Sequence, residues 1–130
     1  MSAMAFREPN QVKWVGIRPA HNGEQVAKSN AATNGTTIIH TVTATKTLYL
    51  CTSTLTYWGA VGSGQIKVRN AADVDQYILV IGGLITAAGA FFGLSIPFNP
   101  PLEIPAGWDV VVLSSIAASV AEGFIFGWEE

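Results

Sequence analysis

The side chains on which chemistry could rest are few and scattered. His21 and His40 stand far apart, with no His, Cys or carboxylate at ligand spacing to either, so they read as surface or strand histidines and not as a zinc pair. Ser63 lies between Gly62 and Gly64 without the flanking pattern of a nucleophile elbow, and reads as a turn serine. Asp73 and Asp75 would point the same way on an extended segment, as calcium ligands do, yet the other oxygen donors of a calcium loop are missing and a solvated turn is the preferred reading. Cys51 sits among Tyr49, Leu50 and Thr52, a setting for packing and not for a nucleophile. Glu103 and Asp109 flank a turn, whereas a hydrolytic carboxylate pair needs a cleft between its members. No phosphate loop is present. The expectation is a non-enzymatic protein with no cofactor, no metal and no catalytic residue.

Aromatic side chains offer contacts instead. Trp14, Trp58, Trp108 and Trp128 lie within or at the ends of apolar runs, where core or subunit packing is the first reading and a glycan-binding platform the alternative. Phe124, Phe126 and Trp128 recur at a spacing of two, so an extended chain puts all three on one face, either core or subunit contact. With Phe6 in the first segment, these are the candidate assembly residues.

Composition sharpens this. Charged residues are 12% of the 130, against about 25% in soluble domains generally, and something other than charge must cover the surface. Ten threonines between Thr33 and Thr56 suit the solvated or contact faces of strands, and the high apolar content suggests surface covered by copies of the same chain. All seven Lys and Arg lie at or before Arg69, and seven of the nine acids at or after Asp73. A net charge of −2 argues against a nucleic-acid partner. The single cysteine excludes an intramolecular disulfide and fits a reducing compartment. Met1 to Phe6 lacks the basic and apolar regions of a secretory signal, so Asn34-Gly35-Thr36 reads as a turn.

Along the chain, residues 1–11 have no period and form an arm ahead of a single domain over 12–130. Residues 12–17 form a short strand, and 18–35 a long polar loop punctuated by Pro19, Asn22-Gly23 and Asn34-Gly35. Residues 36–44 alternate with Ile38, His40 and Val42 on one side, and Thr45-Lys46 joins them to 47–58 as a hairpin. A glycine-rich turn at 59–64 leads to 65–70, with Ile66 and Val68 inward and Lys67 and Arg69 outward, and 71–75 turns again. Residues 78–96 run without a charge, long enough for a membrane helix. Four glycines, the following Pro97 and the lack of any later Lys or Arg favour two buried strands over 77–85 and 90–98. Pro100 and Pro101 belong at an edge or outside a sheet. Pro105-Ala106-Gly107 is a turn, and 108–116 a strand covered on both faces. Residues 117–119 permit a hairpin to a closing aromatic strand. The sum is eight to nine short strands in an all-β, antiparallel two-sheet sandwich.

The order Trp14-Val15-Gly16-Ile17, the Thr-rich stretch 41–57, Pro100-Pro101-Leu102-Glu103-Ile104-Pro105-Ala106-Gly107-Trp108 and Gly123-Phe124-Ile125-Phe126-Gly127-Trp128-Glu129 resembles small jelly-roll structural proteins of tailed bacteriophages. The resemblance implies a jelly-roll-like sandwich, a homotrimer, assembly in the host cytoplasm, and a place on the virion as capsid decoration, spike or tail component beside the major capsid protein or other virion proteins. It carries over no catalytic residue. The arm or the 18–35 loop would hold the trimer to the lattice. The alternative is a tail module that displays 58–64 to a host glycan, and a minor one is a small membrane protein with its helix at 78–96.

Overall fold

Period-two alternation dominates the chain, and among the described residues the elements it makes are all strands. In this computed structural model residues 23–85 and 91–130 are described; the arm, the strand expected over 12–17, and Phe6, Trp14 and His21 lie outside them. The strands are β1 (Glu24–Ala32), β2 (Gly35–Thr41), β3 (Leu48–Gly59), β4 (Gly62–Arg69), β5 (Asp75–Ile85), β6 (Phe91–Ile104), β7 (Asp109–Ser114) and β8 (Ser119–Glu129). One sheet runs β1-β8-β3-β6 and the other β2-β7-β4-β5, and every pairing is antiparallel. First pairs with last, second with seventh, third with sixth and fourth with fifth, the winding of a jelly roll. The expected two-sheet sandwich is therefore what the chain forms.

Three local expectations change. Residues 36–58 do not make a hairpin: β2 and β3 lie in opposite sheets, as do β7 and β8. The tight turn in which the Lys46 amide donates to the Thr43 carbonyl at 3.1 Å reverses the chain without choosing its partner. Ser63 belongs to β4 and not to a turn. Within the proposed 18–35 loop, Glu24–Ala32 is β1, a strand of poor intrinsic β-propensity that β8 recruits residue by residue, from Glu24↔Glu129 to Ala32↔Ala121. Only Val26 and Ala32 of β1 reach the core.

The helix considered for 78–96 is overturned, because 78–85 and 91–96 are strand; among the described residues no helix is long and apolar enough to cross a membrane. The prolines fall where ladder chemistry allows them, on the edge strand β6. Between the pairs Leu50↔Leu102 and Thr52↔Pro97 the register slips, so Cys51 stands opposite 98–101. Among the described residues the one hairpin between consecutive strands is β4–β5. Its turn is built by Asn70, whose side-chain oxygen accepts from the amides of Ala72 and Val74 at 2.9 and 3.0 Å. The turn before β7 is also as expected, with the Trp108 amide donating to the Pro105 carbonyl and Gly107 at φ +79°.

Leu48, Leu50, Leu55 and Tyr57 of β3 meet Ile66 and Val68 of β4, Val110 and Val112 of β7, and Ala121 and Ile125 of β8 in the core between the sheets. β7 is buried on both faces except at Leu113, as its apolar run implied. The inward face of β8 is made small by Ala121, Gly123 and Gly127. A Cβ at Gly123 would stand 2.6 Å from Ile39 Cδ1, and one at Gly127 would collide with the Tyr49 carbonyl of the neighbouring strand.

Gly127→Ala is accordingly expected to lower the unfolding free energy by at least about 1–3 kcal/mol. Gly93→Ala, whose Cβ meets only Thr56 Cγ2 at 3.7 Å, should stay within roughly 0.5 kcal/mol of the parent in the same urea titration. Equal effects of the two would show that close approach of β8 is not limiting.

Candidate functional site

Two kinds of feature stand out: sheet faces turned outward, and charges gathered inside one end of the sandwich. On β8 the inward residues alternate with Val120, Glu122, Phe124, Phe126 and Trp128, so the aromatic row lies on the outer face of its sheet and not in the core. Trp128 is itself buried there, stacked on Tyr49 with centroids 5.3 Å apart and planes 17° from parallel. Phe126 pairs with Thr52 and Phe124 with Thr54 on one side, and with Ala27 and Ser29 of β1 on the other. Thr54 in turn exchanges a 2.8 Å hydroxyl hydrogen bond with Ser95 of β6. The result is an uncharged block of rings, hydroxyls and methyls, with Phe124 40% exposed. At the end of the same face Trp58, also 40% exposed, pairs with Val120, one pair beyond Thr56↔Glu122.

The outer face of the second sheet sets exposed aliphatic side chains beside the charged side chains of β4. Ile78 pairs with Lys67 and Ile81 with Gln65, both outward positions of β4, and the two isoleucines are 56% and 59% exposed. Tyr77 and Val74 are exposed beside them. Trp108 is half-buried against the core, its ring tilted on that of Tyr77 at 6.3 Å.

The charged end was not anticipated. A straight β2 would put Ile38 and His40 on one face. A bulge between them leaves Ile38 outward opposite Val111 and turns His40 inward opposite Val110. His40 Nε2 then lies 2.5 Å from Glu129 Oε2, whose residue is 2% exposed, and the Thr43 amide donates to the same oxygen at 3.1 Å. Burial pushes the Glu129 carboxyl up, but hydrogen bonds from the Thr43 hydroxyl, from His40 and from the Thr43 amide outweigh it, and the group sits below its ordinary 4.5. The pair clasps one sheet to the other. One sequence signal could have found it: Glu129 falls on the small-residue, inward period of β8, and a carboxylate there must have a partner.

The remaining candidates are held in structural roles. Asp109 accepts from the Thr41 hydroxyl at 2.6 Å and from Arg69 at 3.5 Å, while Glu103 is exposed on the other sheet, so the two carboxylates are not brought together. Asp75 pairs with Lys67 at 2.8 Å and Asp73 with Arg69 at 3.4 Å, each carboxylate on its own cation. Cys51 is buried, and burial pushes its thiol up, away from the reactive thiolate. Among the described residues no three His, Cys, Asp or Glu side chains are grouped to hold a metal ion. No protein-family model matches the chain, and no curated protein matches it.

Because the Glu129 carboxyl is depressed in the fold, its contribution is present above the unfolded value and is lost as pH falls through the folded one. The parent should therefore lose stability on acidification below pH 4.5 more steeply than Glu129→Gln, measured by urea unfolding at a series of pH values. At neutral pH His40→Ala should cost roughly 3 kcal/mol by stranding a buried carboxylate, and His40→Gln less. A parent and Glu129→Gln with identical acid limbs would remove the clasp from the account.

Proposed function

We propose that the chain is a non-enzymatic virion structural protein of a tailed bacteriophage, a homotrimer that decorates and stabilises the capsid or forms a spike on it. One observation carries the reading: large apolar side chains stand more than half exposed at Ile78 and Ile81 on a chain with 12% charge. Such a surface is favourable when another copy removes it from water. Jelly rolls serve many unrelated purposes, so the fold supports the reading only together with the sequence resemblance already described. Three copies pack their apolar faces or edges around a three-fold axis, and the arm, residues 1–11, ties the trimer to the capsid lattice.

The mass in solution tests this. Light scattering after size exclusion should give three times the chain mass without detergent, and a monomer would overturn the trimer. Ile81→Glu and Phe124→Glu then separate the two faces, since only the substitution inside the contact should reduce the mass to one chain. Deleting residues 1–11 should leave the trimer and abolish attachment to particles; unchanged attachment rejects the anchoring role. A second reading rests on Trp58: an exposed indole beside Val120, with Glu122 and Thr56 in the next pair, matches the apolar face and hydroxyls of a sugar. In that reading the protein is a tail-associated receptor module, and Trp58→Ala abolishes adsorption to the host glycan while assembly is retained.

A further inference from the structure

The asparagines among the described residues are Asn30, Asn34, Asn70 and Asn99, and their side chains are held very differently. Asn30 donates to the Ile38 carbonyl at 2.9 Å, and its own oxygen accepts from the Ala31 amide at 2.9 Å, which ties down the nitrogen that follows it. Asn70 is fixed by the two amides of the β4–β5 turn. Asn99 precedes Pro100, whose nitrogen carries no hydrogen. Asn34 is exposed in the bend between β1 and β2, and among the described residues no hydrogen bond holds its amide. The residue after it is Gly35, at φ +96°, with open space where a Cβ would stand. Glycine offers no side chain against the approach of the Asn34 amide and gives the backbone the freedom to bring that amide to the Gly35 nitrogen at the first residue of β2.

We infer that Asn34-Gly35 is a site of spontaneous deamidation and backbone isomerisation. The Gly35 amide nitrogen gives up its proton and attacks Cγ of Asn34. A new C–N bond forms, the side-chain nitrogen leaves as ammonia, and the product is a five-membered succinimide. Water then opens the ring at either carbonyl, giving aspartate or isoaspartate. One water enters, one ammonia leaves, and no group is oxidised or reduced. Both products add a negative charge where the chain crosses from one sheet to the other. The isoaspartyl product also lengthens the backbone between Ala32, paired with Ala121, and Gly35, paired with Ser114. The inference is independent of the proposed trimer and of the virion.

The test is an incubation of the purified full chain at mildly alkaline pH, followed by peptide mapping and enzymatic methylation of isoaspartate. Conversion at Asn34 should be several-fold faster than at Asn30 and Asn70 in the folded protein. Asn34→Gln should remove that product and the matching acidic species on ion exchange. Peptide mapping separates this site from Asn22-Gly23, whose asparagine lies outside the described residues. Conversion at Asn34 no faster than at Asn30 and Asn70, or seen only after unfolding in denaturant, would overturn the inference.

Discussion

β8 lies between β1 and β3, and the first sheet depends on how closely it can approach them. Its inward residues are Ala121, Gly123, Ile125 and Gly127, and the two glycines sit where any side chain would meet a backbone carbonyl or an opposing isoleucine. With β8 in place, β3 gains its second ladder and β1, a polar and alanine-rich segment, gains its only sheet partner among the described residues. The end of β8 then delivers Glu129 to His40 and Thr43 and so joins the sheets. A strand near the end of the chain thus closes a structure whose first described strand cannot hold itself.

Charge placement follows from the same closure. Glu129 pairs with His40 between the sheets, while Asp109 alternates with the core residues Val110 and Val112 and meets Arg69 and Thr41 on the outer face of its own sheet. Buried charges need partners of good geometry, and these have them. What is left for the outer face of the first sheet is mainly hydroxyl, methyl and ring. The scarcity of charge is therefore most marked on the outer face of the first sheet, whereas Lys67, Arg69, Asp75 and Asp109 pair on the outer face of the second.

Much of the architecture could be read from short-range patterns. The alternation of Ile66 and Val68 with Lys67 and Arg69, the doubly buried run of β7, the turns at 71–75 and 105–107 and the edge position of Pro100 and Pro101 are decided by neighbours a few residues away. β1 was hidden because its side chains have little preference for a strand, and its pairing with β8 outweighs that preference. The His40–Glu129 clasp was hidden by the bulge at Ile39, which breaks the period that would have placed His40 beside Ile38.

By itself the sequence determined that this is an all-β chain, where most of its strands lie, and that it is poor in charge and in groups fit for chemistry. Only the tertiary structure decided which strands pair, which way the aromatic row of β8 faces, and which acids meet which bases. The reason is range. A turn residue constrains φ and ψ within its own few residues. A jelly roll instead pairs its first strand with its last, and that choice is made by the shape of the surface each strand buries once all of them are present.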